Sequence, residues 1–190
     1  MKLGRIKVKR FIDVLFSIIG LVLLSPILLV LSFIIRSDGG PALFRQVRVG
    51  LHGKEFEIFK FRSMIINAEQ LGGYSTQSND LRITNIGKII RKTSLDELPQ
   101  LFNVLKGDMS LVGPRPNVPA QREEYDKLQW EKRNSVLPGI TGLAQATLRS
   151  KATWQERFEL DIEYVNKSSL HYDFYIILLT FKQVFFKGGN

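Results

Sequence analysis

From Phe11 to Ile35 the chain reads FIDVLFSIIGLVLLSPILLVLSFII, an apolar stretch with one charge near its start and Ser25-Pro26 at its middle. At about 1.5 Å of rise per residue, a straight helix over it is about 37 Å long, more than the roughly 30 Å hydrocarbon core of a bilayer requires. Pro26 removes a backbone donor and crowds the turn before it, so the pattern predicts a bend there, with Ser25 placed to satisfy a freed carbonyl. After the turn residues Ser37 to Pro41, two runs with strand character, Ala42 to Gln46 and Glu55 to Arg62, are separated by the turn Val49 to Lys54 and predict a hairpin. Small polar residues from Gly72 to Asp80 show no periodicity and read as a mobile loop. A short basic helix is predicted over Asn85 to Lys92. A second, carrying Leu95, Leu98, Leu101, Phe102 and Leu105 at helical spacing, closes at Gly107-Asp108.

Farther on, Pro119 to Arg133 reads as a charged amphipathic helix and Pro138 to Gly142 as a rigid loop. Thr153 with Glu156 has capping-box spacing for a helix through Val165. The closing run FYIILLTFKQVFF, Phe174 to Phe186, is too short to span a bilayer and is interrupted by Lys182, so it is expected to lie on a membrane surface. Helices outnumber strands. The fold class expected is therefore α+β and mostly helical, with an anchor over residues 1–36, one catalytic-sized domain over 37–190 and an interfacial helix at about 172–187.

Charge sharpens the membrane reading. Lys2, Arg5, Lys7, Lys9 and Arg10 precede the apolar stretch; Arg36, Arg45 and Arg48 follow it. If positive residues stay on the cytoplasmic side, neither end crosses, and a re-entrant helix satisfies both flanks; a single span with a tolerated proline is the plainer alternative. The net charge of +9 suits an anionic membrane surface or nucleic acid, and the apolar anchor favours the membrane. With no cysteine, disulfides, thiolate chemistry and Cys-ligated metals are excluded. The apolar run is longer than a signal peptide's and no small-residue cleavage pattern follows it, so it is expected to stay attached.

Among residues able to carry chemistry, Asp96-Glu97 lie where a helix begins. One reading is structural: Ser94 with Glu97 matches a capping box, and acids are favoured in a first turn. Against it, a cap at Ser94 would set Pro99 a position too deep in the helix, which implies a strained or shifted start. The other reading makes a carboxylate a nucleophile or a Mg²⁺ ligand. Arg115, fixed between Pro114 and Pro116, either grips phosphate or decorates a turn. Lys60, Arg62, Arg91 and Lys92 add positive charge, as phosphate ligands or as a solvated face near anionic lipid. His52 and His171 stand apart with no zinc spacing around them.

Taken together, the Ser25-Pro26 membrane segment, Lys60 to Met64, Thr93 to Val104 (TSLDELPQLFNV), Gly107 to Pro116 (GDMSLVGPRP) and Pro138 to Gly142 (PGITG) resemble the bacterial sugar transferases, and more narrowly the small monotopic polyprenol-phosphate phosphoglycosyl transferases. The likeness covers nearly the whole chain in order. It implies a re-entrant helix in the bacterial inner (cytoplasmic) membrane, a cytosol-facing domain, UDP-sugar and polyprenol phosphate as substrates, UMP as product, Mg²⁺ as cofactor and a covalent aspartyl intermediate. By that resemblance Asp96 is nucleophile and metal ligand, Glu97 its catalytic partner, and Lys60, Arg62, Arg91, Arg115, Gln145 and Arg149 bind substrate. Partners are then the bilayer and the two substrates, with no nucleic acid; a homodimer stays open. The chain departs from the family pattern at Leu143, where Trp is frequent, and at Thr147-Leu148, where Asn-Gly often precede the arginine, in a region expected to meet the nucleotide sugar. It resembles a minimal catalytic form without the extra spanning helices of larger relatives. The rival reading is a non-catalytic, membrane-anchored basic module that binds anionic lipid or nucleic acid.

Overall fold

The computed structural model describes residues 2–37, 39–72, 80–148 and 153–187. The predicted anchor is one helix, α1 (Lys2–Arg36), which runs on through Pro26. Proline at 26 leaves the carbonyl of Val22 without its usual donor, and the Ser25 hydroxyl donates to that carbonyl at 2.8 Å. A large share of the helix's apolar side chains, Phe11, Phe16, Val22, Leu23, Leu29, Val30 and Phe33 among them, are exposed.

Yet α1 touches the rest of the protein at both ends. Near its start the Arg10 guanidinium donates to the Val104 and Leu105 carbonyls, Asp13 accepts from the Leu111 amide at 3.2 Å, and Lys9 pairs with Asp173 at 2.6 Å. Midway, Gly20 lets the helix approach Leu101 so closely that a Cβ there would sit 3.3 Å from its side chain. Near its end Leu31 and Ile35 are buried with Ala42, Phe61 and Ile90. Arg62 closes this end: its buried guanidinium donates to the carbonyls of Ile35, Pro41 and Met64, at 2.8, 2.8 and 3.3 Å. A cation on the last carbonyls of a helix meets unpaired acceptors and the negative end of the dipole together.

The expected hairpin forms from β1 (Leu43–Val49) and β2 (Glu55–Phe61), antiparallel, with Leu43 opposite Phe61 and Val49 opposite Glu55. A short helix α2 (Ala68–Gly72) follows; the rest of the predicted mobile loop, residues 73–79, lies outside the described residues. Next come α3 (Asn85–Lys92), capped by the Thr84 side chain, and α4 (Gln100–Lys106), which ends at Gly107 in the left-handed conformation. Buried Asn103 joins α4 to the hairpin, accepting from the Phe59 amide at 2.9 Å and donating to the Glu57 carbonyl at 2.6 Å.

Two expectations need correction. The stretch Pro138 to Gly142 is not merely a loop: β4 (Gly139–Thr141) pairs in parallel with β3 (Ser110–Val112), a non-local pairing that hydropathy over so few residues does not announce. And Pro119 to Arg133 is not one helix. A 3₁₀ segment over Pro119–Glu124 gives way to extended Tyr125, and α5 (Lys127–Arg133) starts afresh because Asp126 and Gln129 form a reciprocal capping box. The second core, built from Val112, Leu143, Ala146, Tyr164 and Ile176, joins β3 to α6 (Leu143–Thr147), α7 (Trp154–Lys167) and α8 (Leu170–Lys187). The predicted Thr153–Glu156 capping box starts α7. On α8, Phe174, Tyr175, Leu178 and Phe181 are exposed while Ile176 is fully buried, so its outer face is apolar.

The seating of α3 is the tightest contact that positions the site. A Cβ on Gly87 would lie 1.9 Å from the Ser63 carbonyl oxygen, and neither backbone can yield without unseating the helix. Gly87→Ala is expected to cost about 1–3 kcal/mol, lowering the melting temperature by several degrees. Gly4→Ala, with nothing within 4 Å, should leave it unchanged in the same thermal-unfolding experiment.

Candidate active site

The acids sit on a single 3₁₀ turn, Leu95–Glu97, between α3 and α4. The turn is entered through Ser94 at φ 57, a left-handed residue whose side chain makes no cap. The capping-box reading of Ser94 with Glu97 is therefore wrong. The backbone of Ser94 explains why: an N-cap takes an extended conformation that aims its side chain at the third amide beyond it, and the left-handed Ser94 does not, while Leu98 and Pro99 carry right-handed backbone on into Gln100. Leu95 anchors the turn against the first core, and the two carboxylates are left to project from it.

Their environments differ sharply. Glu97 Oε1 accepts from Lys60 Nζ at 2.7 Å and from Arg115 Nη1 at 3.1 Å. Burial alone would raise its pKa, but Lys60 and Arg115 outweigh that and hold it at about 2. Asp96 has no such bond among the described residues. Burial, and then the neighbouring Glu97 charge, push its pKa up to about 6 against the longer-range pull of Lys60, Arg91 and Arg115. One acid is thus committed as a fixed anion between two cations, and its neighbour is held poorly solvated and unpaired.

Four elements deliver this arrangement: Lys60 from β2, Arg91 from the last turn of α3, the acids from the 3₁₀ turn and Arg115 from the loop after β3. A narrow crevice behind Lys60 and Arg115 is lined also by Arg48, Ile58, Gln100, Pro116 and Gly139. Arg48 and Gln100 were not singled out in the sequence; Arg48 reads there as one more flanking base, and Gln100 carries no charge to betray it. The structure does not bring Arg62 to the acids, since its guanidinium is spent on α1 and its neighbours. Gln145 is turned towards β4, donating to the Ile140 carbonyl at 3.3 Å while its buried Oε1 has no partner among the described residues. Arg149 lies outside the described residues. Leu143 is buried against Val112 and Tyr164, so that departure from the family pattern is a matter of packing.

No group of three or more His, Cys, Asp or Glu gathers among the described residues. The donor set at the turn is one available carboxylate beside a clamped one. That suits a hard cation such as Mg²⁺, which takes one or two carboxylates and completes its shell with water and substrate phosphate.

The model of the bacterial sugar transferase family matches residues 4–187, and the chain belongs to that family. It is 46% identical to the galactosyl transferase CpsE of Streptococcus agalactiae, over 99% of this chain and 44% of that protein. It is 43% identical to the uncharacterized sugar transferase EpsL of Bacillus subtilis, over 95% of this chain and 89% of that one. The undecaprenyl-phosphate galactose phosphotransferase of Salmonella typhimurium is 42% identical over 95% of this chain and 41% of its own. The chain thus spans less than half of two of these relatives and most of the third.

The raised pKa of Asp96 has a consequence for stability. Between the ordinary carboxyl value of about 4 and the folded value of about 6, the folded protein keeps a proton that the unfolded chain has released, so stability falls as pH rises through that window. Asparagine mimics the protonated form. In chelator-treated protein, Asp96→Asn should therefore be more stable than the parent at about pH 7.5, by about 1 kcal/mol or more, with the gap closing as pH falls to about 4. Equal melting temperatures at both pH values would contradict the assigned environment.

Proposed function

We propose that this chain transfers a phosphosugar from a UDP-sugar to polyprenol phosphate through an Asp96 adduct. The asymmetry of the acid pair carries the reading. A clamped Glu97 stays an anion at any working pH, while Asp96, unpaired and poorly solvated, is a carboxylate with an oxygen free to attack. The names of the relatives agree in class: the Klebsiella pneumoniae relative, 43% identical over 90% of this chain, is a UDP-glucose:undecaprenyl-phosphate glucose-1-phosphate transferase. A module that only bound lipid or nucleic acid would have no use for two acids set apart in this way.

In the first step an Asp96 carboxylate oxygen attacks the sugar-linked phosphorus of the UDP-sugar. The bond from that phosphorus to the bridging oxygen breaks and UMP leaves with the oxygen, so Asp96 carries a phosphosugar acyl phosphate. In the second, a phosphate oxygen of polyprenol phosphate attacks the same phosphorus, forming polyprenyl-diphosphate sugar and returning the carboxylate. Arg115, half-exposed and 3.1 Å from Glu97, is placed to exchange part of that contact for a phosphate oxygen, and Lys60 and Arg91 add positive potential for the diphosphate. Mg²⁺ held by Asp96 and the substrate diphosphate would supply charge neutralisation there. Glu97 holds Lys60 and Arg115 facing the reacting phosphate.

The same reading makes α1 re-entrant. A helix that crossed a bilayer would carry one end roughly 30 Å away from the other face. Here Lys9, Arg10 and Asp13 at one end and Leu31 and Ile35 at the other all meet the same domain, which supports an anchor that enters and leaves one leaflet. With the apolar outer face of α8 beside it, the acids are held near headgroup depth on the cytosolic side of the inner membrane.

Two experiments test these points. Enzyme incubated with Mg²⁺ and a panel of UDP-sugars, without lipid acceptor, should gain a phosphosugar mass on the peptide that contains Asp96; Asp96→Asn should gain none. Absence of any adduct in a fully active preparation would favour direct transfer. For topology, the cysteine-free chain accepts single cysteines at exposed Gly4 and Ser37. Both should be shielded from an impermeant thiol reagent in intact cells and labelled after lysis, whereas labelling of the Ser37 site alone would establish a full span.

A further inference from the structure

The segment Gly113-Pro114-Arg115-Pro116-Asn117 has two residues without a backbone N–H, so two of its five possible amide donors are missing. The Gly113 amide donates to the Thr141 carbonyl at 2.9 Å, and the rest of the loop is held through its carbonyls. Pro114 O accepts from the Gly139 amide at 3.0 Å, Pro116 O from Arg48 Nη1 at 3.1 Å and Asn117 O from the Val49 amide at 2.9 Å. The carbonyl of Arg115 itself accepts from Arg133 Nη2 at 2.7 Å.

Arg133 is unusual in its surroundings. It is the last residue of α5, 4% exposed, and its Nε and Nη2 both reach Asp161 Oδ2 on α7, at 2.9 and 2.7 Å; Asp161 is equally buried. The ring of Tyr125 lies 5.8 Å from the guanidinium carbon. An ion pair this deep is a poor source of stability, because desolvation of both charges consumes most of their attraction. Apolar side chains of the same size would pack α5 against α7 as well. What the guanidinium adds is a rigid fork that satisfies its counter-ion with one edge and still aims a donor at a carbonyl outside α5 and α7. That carbonyl belongs to the one residue in the loop whose side chain reaches Glu97.

We infer that Arg133, neutralised by Asp161, is a positioning residue for Arg115: it fixes the backbone from which the half-exposed Arg115 side chain reaches the substrate phosphate. The inference rests on the reading of Arg115 as a phosphate ligand. Arg133 itself lies too deep to meet substrate.

A double-mutant cycle separates positioning from general support of the fold. The readout is kcat/KM for UMP release by the detergent-solubilised enzyme, using UDP-glucose or whichever of UDP-galactose and UDP-N-acetylgalactosamine turns over fastest. Arg133→Lys keeps a cation for Asp161 but cannot span both partners, and the pair Arg133→Met with Asp161→Leu removes both charges together, a replacement that buried ion pairs tolerate. In the parent background each should lower kcat/KM by about tenfold or more, on the scale expected of a misplaced binding group, with the melting temperature nearly unchanged. In the Arg115→Ala background the same changes should have almost no further effect, because the group they position is gone. Equal fold losses in both backgrounds would assign Arg133 a purely structural role and overturn the inference while leaving Arg115 as a ligand. Parent-like turnover by Arg115→Ala alone would remove the phosphate reading and the inference with it.

Discussion

Glu97 is held by two cations that come from parts of the chain far apart in sequence, Lys60 from the hairpin and Arg115 from the loop beyond β3. Much of what is distinctive in the fold serves to bring those two side chains to one oxygen atom. Asn103 sews α4 to the edge of β2, which sets Lys60 over the turn. The parallel β3–β4 pair and the carbonyl bonds beyond it set Arg115. Because Glu97 takes the close contacts with Lys60 and Arg115, Asp96 feels those cations only at longer range, and two adjacent carboxylates are left in different environments. Residues of the same chemical type, one position apart, acquire different work through the partners that tertiary structure supplies.

The N-terminal helix, long and apolar enough to cross a membrane, is also part of that structure. Three of its polar residues reach into the domain: Lys9 pairs with Asp173, whose other oxygen lies 2.8 Å from the Tyr164 hydroxyl; Arg10 donates to the last carbonyls of α4; and Asp13 accepts from the Leu111 amide. The Tyr164 phenol is pushed well above its ordinary range by burial and by Asp173, so it keeps its one proton, with the Asp173 carboxylate and the Val112 carbonyl each 2.8 Å from its oxygen as acceptors for it. These contacts tie α1 to β3 and α8 at one end while Arg62 ties it to the hairpin at the other. A helix fixed in this way at both ends holds a set position relative to the domain that carries the acids.

How far this was legible in the sequence depended on whether the signal was local. The hairpin, the α3 helix, the α7 capping box and the rescue of Val22 by Ser25 follow from residues within a turn or two of one another, and each is present. Asp96, Glu97, Lys60 and Arg115 stood out as chemical types, but only the resemblance between motifs separated by long stretches of chain put them together. What failed was of two kinds. Ser94–Glu97 satisfies a local pattern that the left-handed backbone of Ser94 leaves unbuilt, and Asp126 caps a new helix inside the stretch whose charge pattern reads as one helix. Arg62 and the pair Arg133–Asp161 were invisible because a buried arginine looks in sequence like any surface cation; only its burial and its carbonyl partners reveal what it does.

The central claim is that Asp96 leaves a covalent intermediate standing free of the lipid acceptor. Isotope exchange measures this most directly. With Mg²⁺ present and polyprenol phosphate absent, labelled UMP should be incorporated into unlabelled UDP-sugar at a rate comparable to overall transfer, because the first step is reversible and complete in itself. A preparation that catalyses full transfer yet shows no such exchange would contradict the account.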